Sequence, residues 1–189
     1  MSRAKASLPW GSTTLLEHLL HKLQPRFEPL VVVCEGQMSL PDLSPQIQLV
    51  IDPISHLGPL AGFSNGLGHV PDDRPVFLTG CDFPFLQSTI VDFLLDRLGD
   101  ADAVVTQWQG IIQPLVGLYH PRIAHTVDEQ IASGKRSLMD LLEQIYCKTI
   151  LESEWLRFDP SGQMLMNINT PEEYEQTHKY YLSSISSSE

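Results

Sequence analysis

The chain has 189 residues and a formal net charge of −11, from 12 Lys and Arg against 23 Asp and Glu. A length of that order fits one domain that buries about two thirds of its unfolded surface, so no disulfide framework is required. The scarcity of cations argues against a nucleic-acid backbone or an anionic membrane as partner, since either needs a basic patch. It leaves room for a small phosphorylated ligand, which needs one or two cations and a metal ion held by acidic groups.

From Ser12 onward, "STTLLEHLLHKL" sets Leu15, Leu16, Leu19, Leu20 and Leu23 on one helical face, with Thr14 and Glu17 at capping-box spacing. "LVVVCE" and "IQLVID", the second ending at Asp52, are short apolar runs rich in β-branched residues and predict buried strands. "GPLAGFSNGL" carries Leu60, Phe63 and Leu67 at helical spacing, and "VFLTG" supplies a third strand that gives way to Cys81 and Asp82. The alternation continues through the helix "STIVDFLLDRL", the strands "DAVVTQ" and "IIQPLVGLYH", a helix from about Pro121 to Ser133, and a helix in "RSLMDLLEQI". In "NINTPEEYE", Thr170 as N-cap, Pro171 at the first helical position and Glu173 mark a final helix start. Single helices between strands predict a doubly wound α/β domain, with a mostly parallel sheet and helices on both faces. The expected layout is one domain over residues 1–182 and a disordered tail over residues 183–189.

Cys34, Cys81 and Cys147 form no CxxC and are odd in number, which fits neutral thiols in a reducing cytosol. "MSRAKASLPWGS" has no apolar core of signal-peptide length, and no stretch approaches a membrane span, so a cytoplasmic protein is expected. His18 and His21 lie beside the leucine stripe and fit no tight metal-ligand spacing. P-loop and complete GxGxxG motifs are both missing from the sequence.

In doubly wound folds, function sits at the carboxyl ends of strands, where both Asp52 and Asp82 fall. Two such carboxylates, with the glycines of "HLGPLAGF", suit a Mg²⁺–phosphate ligand, because Mg²⁺ takes one or two carboxylates plus phosphate oxygens and waters. Each also has a structural role open to it: Asp82 as a cap, Asp52 as a turn initiator before Pro53. Lys5 precedes the first helix and is either a solvated cation or a phosphate contact.

Together, "RAKASLPWGSTTLLEHLL", "DPISHLGPLAGFSNGL", "VFLTGCDFPFL", "QPLVGLYH", "GKRSLMDLL" and "NINTPEEYE" resemble, in order and spacing, the molybdenum cofactor guanylyltransferases, across nearly the whole chain. The resemblance implies a Rossmann-like nucleotidyltransferase fold and Mg²⁺-dependent transfer of GMP from GTP to molybdopterin or molybdenum cofactor, releasing pyrophosphate. It places Asp82 as the metal ligand, Lys5 and Asp52 on the nucleotide, and Gln113, Pro114, Asn167 and Asn169 on the acceptor side. Two alternatives stay open: a related enzyme using CTP or another phosphorylated acceptor, and a silent homologue that partners molybdoenzyme maturation proteins. In the family a first apolar strand and a glycine-rich loop precede the lysine, whereas here Met1 stands just ahead of Lys5, with Ser2 where glycine is usual. The expectation is that such a segment is encoded upstream and that the sheet lacks a central strand without it.

Overall fold

The computed structural model describes residues 5–36, 40–52 and 58–186. A 3₁₀ turn over Lys5–Ser7 leads into a small hairpin, β1 (Pro9–Trp10) and β2 (Thr13–Thr14), and then α1 (Leu15–Leu23). The capping box is formed in full: Thr14 Oγ1 accepts from Glu17 N, and Glu17 Oε2 accepts from Thr14 N at 2.7 Å. Such a cap contributes about 0.5–2 kcal/mol. All five leucines of the predicted stripe are buried.

Next come β3 (Leu30–Glu35) and β4 (Ile47–Asp52), a parallel pair in register from Leu30↔Ile47 to Glu35↔Asp52. Helix α2 (Pro59–Leu67) packs on β3, where Gly62 and Gly66 face Val33. A Cβ on Gly66 would come within 3.3 Å of a Val33 methyl, so this glycine permits close helix–strand packing.

The second sheet is built from β5 (Val76–Thr79), β6 (Ala103–Trp108), β7 (Ile111–Tyr119) and β8 (Cys147–Ile150), in the order β5-β7-β6-β8. Its helices are α3 (Ile90–Leu98), α4 (Ala124–Ala132), α5 (Leu138–Leu142) and α6 (Glu152–Trp155). β8 runs parallel to β6, whereas β7 is antiparallel to both β5 and β6. The cause is local. Gln109 and Gly110 both have positive φ, +50° and +75°, so the β6–β7 connection is a tight hairpin turn that cannot serve a parallel crossover. The register of β6 against β7 shifts between Val105 and Thr106, and Pro114, which lacks an N–H, falls within the irregular stretch of β7. The Thr106 hydroxyl and the Tyr119 hydroxyl donate to the Val116 and Pro114 carbonyls there, at 3.1 Å and 2.7 Å.

Helices cover both faces, as the alternation predicts. Val104 packs with Ile90, Phe93 and Leu94 of α3 on one side. Ala103 and Val105 pack with Phe63, Val127 and Leu141 on the other, following the period of two along β6. Among the described residues, β3 pairs only with β4 and β5 only with β7. Between their facing edges lies an apolar cavity of about 840 Å³, lined by Leu20, Val33, Gly66, Phe77, Val91 and Leu118 among others.

The last helix, α7 (Pro171–Ser186), runs four residues into the segment expected to be disordered. There the Ser183 and Ser184 hydroxyls donate to the Tyr180 and Tyr181 carbonyls, both at 2.7 Å. Ser187 to Glu189 lie outside the described residues.

Candidate functional site

The apolar run of β5 ends at Thr79, and Gly80 and Cys81 bring the chain to Asp82, whose side chain is 15% exposed. Phe83 and Leu86 are buried just beyond and pin the following turn. α1 holds that turn from the other side, since the Pro84 carbonyl accepts from His18 Nε2 at 3.0 Å and from Lys22 Nζ at 2.9 Å. A carbonyl can only accept, so the His18 proton resides on Nε2. Burial, followed by the Lys22 ammonium, depresses the His18 pKa to about 4, and burial also lowers that of Lys22. The Asp82 carboxylate folds back over Gly80: a Cβ there would lie 2.5 Å from Asp82 Oδ1. Cys81 is a protonated thiol, pushed up to about 11 by burial and by the Asp82 charge, so it is no nucleophile at neutral pH.

Three of the residues singled out in the sequence meet here. Lys5 Nζ donates to Asp82 Oδ2 at 2.8 Å and to Asn169 Oδ1 at 2.9 Å. An ammonium carries three donors, so one remains for an anion after these two bonds. Lys5 is anchored by the 3₁₀ turn, in which Leu8 N donates to the Lys5 carbonyl and Ala6 is buried. Asn169 reaches the site because Ile168, wholly buried against Trp10 and Leu15, donates its N–H to the Asp82 carbonyl at 2.9 Å.

The other predicted residues lie around this centre. Asn167 is exposed, as is Asn169, with buried Ile168 between them. Gln113 and Pro114 belong to the irregular part of β7. The Thr79↔Val116 pairing carries that stretch past the end of β5, and Leu115 packs beside Gly80. Asp52 does lie at a strand's carboxyl end and is 5% exposed, but it sits in the other sheet, opposite Glu35, separated from β5 by β3 and the cavity. Pro53 and the following residues to Leu57, where a turn was expected, lie outside the described residues. Of the glycines in "HLGPLAGF", Gly62 packs on Val33 of β3, while Gly58 caps the start of α2 at φ +78°, beside the Arg136 carbonyl.

Two residues that shape this constellation carry no signal of it in the sequence. Gly80 makes room for the Asp82 carboxylate, a need that only the folded-back rotamer reveals. Glu173, read as a helix cap, also accepts from Asn169 N at 2.7 Å.

The sequence matches the MobA-like NTP transferase domain over residues 1–149. The chain belongs to the MobA-like NTP transferase family. A probable molybdenum cofactor guanylyltransferase of Carboxydothermus hydrogenoformans is 30% identical over 96% of this chain and 90% of its own length. One from Mycobacterium marinum is 32% identical over 90% and 83%. Among solved structures, the molybdopterin-guanine dinucleotide biosynthesis protein A of Archaeoglobus fulgidus superposes with a TM-score of 0.75 at 21% identity, covering 93% of this chain and 89% of that one. A 2-C-methyl-D-erythritol 4-phosphate cytidylyltransferase from Thermus thermophilus gives 0.72 at 12% identity, with 94% and 95% covered. These structural likenesses establish the nucleotidyltransferase fold of this MobA-like chain. The matched domain includes Lys5, Asp52, Asp82, Gln113 and Pro114, while Asn169 lies beyond it.

Proposed function

We propose that this MobA-like chain transfers GMP from GTP to the terminal phosphate of molybdopterin or its molybdenum form, releasing pyrophosphate. The reading is carried by the Lys5–Asp82–Asn169 constellation at the end of β5, in a chain whose curated relatives are named molybdenum cofactor guanylyltransferases. In such a transfer the acceptor phosphate oxygen attacks the α-phosphorus of GTP as the bond to the pyrophosphate oxygen breaks. The protein must align the groups and offset their charge. Lys5 contributes to both, because its ammonium meets the nucleotide phosphates while its bonds to Asp82 and Asn169 fix where the charge sits.

The donor set suits Mg²⁺, since Asp82 and Asn169 offer hard oxygens and Asp82 keeps a second carboxylate oxygen when Lys5 occupies the first. No cluster of three acidic, His or Cys groups occurs among the described residues. One carboxylate with phosphate oxygens and waters completing the shell is how Mg²⁺ is usually held. Mg²⁺ bound through Asp82 would neutralise charge on the phosphates. Gln113, Pro114 and Asn167 enter as acceptor contacts, their support being their place beside the end of β5 or next to Ile168. Asp52 enters as a nucleotide contact on the strength of its strand-end position and the family resemblance. No helix among the described residues is long and apolar enough to cross a membrane, and the reaction is assigned to the cytoplasm.

The test is incubation with α-labelled GTP, Mg²⁺ and molybdopterin, with CTP in a parallel arm. Label recovered in a guanine dinucleotide supports the reading. Transfer from CTP but not GTP would replace guanylyl by cytidylyl transfer, and transfer from neither would overturn the enzyme assignment.

A further inference from the structure

Asn169 has an exposed side chain on an irregular segment, an arrangement that normally leaves an asparagine free to sample rotamers. Here its backbone is held on both sides. Ile168 N is bound to the Asp82 carbonyl, and Asn169 N donates to Glu173 Oε2 at 2.7 Å. Glu173 also completes an ordinary capping box with Thr170, accepting from Thr170 N at 3.1 Å while Glu173 N donates to Thr170 Oγ1 at 3.1 Å. The box requires only the Thr170 bonds. The shorter bond to Asn169 reaches outside the helix, to the residue whose side chain accepts from Lys5.

The helix bearing Glu173 is itself fixed to the amino-terminal hairpin. Tyr174 Oη donates to the Pro9 carbonyl at 2.6 Å, Gly11 N donates to His178 Nε2 at 3.3 Å, and Tyr181 stacks on Trp10 with ring centroids 5.0 Å apart. A rigid platform therefore stands behind the Glu173 carboxylate. The Asn169 and Thr170 N–H groups, with Lys5 adding its charge, hold that carboxyl below the usual range, so it remains an ionised acceptor.

We infer that Glu173 is a positioning residue: α7 acts as a splint whose first-turn carboxylate fixes Asn169 on Lys5, and through it the lysine on Asp82. The inference rests on reading Lys5–Asp82–Asn169 as the transfer site, and its test separates the two.

Six variants are compared for GMP transfer, thermal stability and amide exchange at Asn169: Glu173→Ala, Glu173→Gln, Thr170→Ala, Asn169→Ala, the double variant Asn169→Ala/Glu173→Ala, and Asp82→Asn. Glu173→Ala is expected to lower kcat by about tenfold or more, the scale of a small misplacement of a catalytic group, with little change in KM for GTP. Glu173→Gln, which keeps an amide oxygen as acceptor, should recover most of the rate. Thr170→Ala removes a cap but leaves the Glu173–Asn169 bond, so it should lower the melting temperature while sparing kcat. Asn169→Ala should lose at least as much rate as Glu173→Ala, and the double variant no more than Asn169→Ala, since Glu173 acts through Asn169. Faster exchange of the Asn169 amide in Glu173→Ala, but not in Thr170→Ala, reports the same bond without turnover. Equal rate losses in Thr170→Ala and Glu173→Ala would reduce Glu173 to a helix cap and overturn the proposal. So would additive losses in the double variant, or an unchanged Asn169 amide. If Asn169→Ala leaves the rate intact while Asp82→Asn abolishes it, the positioning role fails and the transfer site stands. If neither affects transfer, the site reading itself fails, and the proposal with it.

Discussion

The amine of Lys5 and the carboxylate of Asp82, 77 positions apart in the chain, meet at 2.8 Å at the carboxyl end of β5. This pairing joins a cation from the amino-terminal turn to an acid from the sheet. It places both where an open α/β sheet presents its ligand crevice.

Lys5→Ala is expected to weaken GTP binding by about 1.5–3 kcal/mol, the range for a hydrogen bond to a charged group. Calorimetric titration with GTP measures it. An unaltered affinity would return Lys5 to a structural partner of Asp82.

Gly80→Ala should harm catalysis more than stability. The added methyl would stand 2.5 Å from Asp82 Oδ1, so the carboxylate must swing away from Lys5 while the apolar strand behind it stays packed. A transfer rate down about tenfold or more, with a cooperative melt retained, is the expected outcome. A wild-type rate would show that the folded-back carboxylate is not the working conformer.

His18 links stability to pH. Its folded pKa of about 4 lies below its ordinary 6.5, so between those values the unfolded chain binds the extra proton. The neutral ring's contribution is therefore present above pH 6.5 and is lost as pH falls toward 4. His18→Gln keeps an N–H donor for the Pro84 carbonyl without titrating. Urea midpoints at pH 7 and pH 5 should fall further for the wild type than for this variant, and equal falls would contradict the assignment.

The cavity between β3 and β5 makes a separate prediction. The two strands present facing edges, and the walls are mostly apolar, with Arg26, Glu28, Glu35 and Arg74 also lining the cavity. An apolar strand of about six residues, fused ahead of Met1 through a short glycine-rich loop, should insert and pair with both. Net hydrogen-bond gains of about 1 kcal/mol each, with added burial, amount to several kcal/mol. The expected rise in melting temperature is about 10 °C or more. Slowed amide exchange at Val31–Cys34 and Val76–Thr79 would locate the insertion, while an unchanged melt and unchanged exchange would contradict it.

Features set by near neighbours were legible in the sequence. The boxes of Thr14 with Glu17 and of Thr170 with Glu173 form as their spacing predicts, and Asp82 falls at a strand end. Features set by distant parts of the chain were not. The meeting of Lys5 with Asn169 spans 164 positions and leaves no local pattern, and the family resemblance set the two on different substrates, Lys5 on the nucleotide and Asn169 on the acceptor side. The reversal of β7 hid in Gln109–Gly110, since glutamine is an unusual residue at positive φ and the pair lacks the Asn-Gly signal of a hairpin. The use of Gly62 was not legible either, because glycine serves close backbone approach of any kind, and here the neighbour is Val33 rather than a phosphate.

The most direct test of the account is GMP transfer by Asp82→Asn beside the wild type, at saturating GTP and molybdopterin across a Mg²⁺ titration. Asparagine keeps the shape that Gly80 accommodates and removes the charge that pairs with Lys5. The predicted result is a folded protein with an undiminished melt and a transfer rate reduced by a factor of about 100 or more, not restored by raising Mg²⁺. Turnover at the wild-type rate, with unchanged Mg²⁺ dependence, would contradict the placement of the transfer chemistry at Asp82.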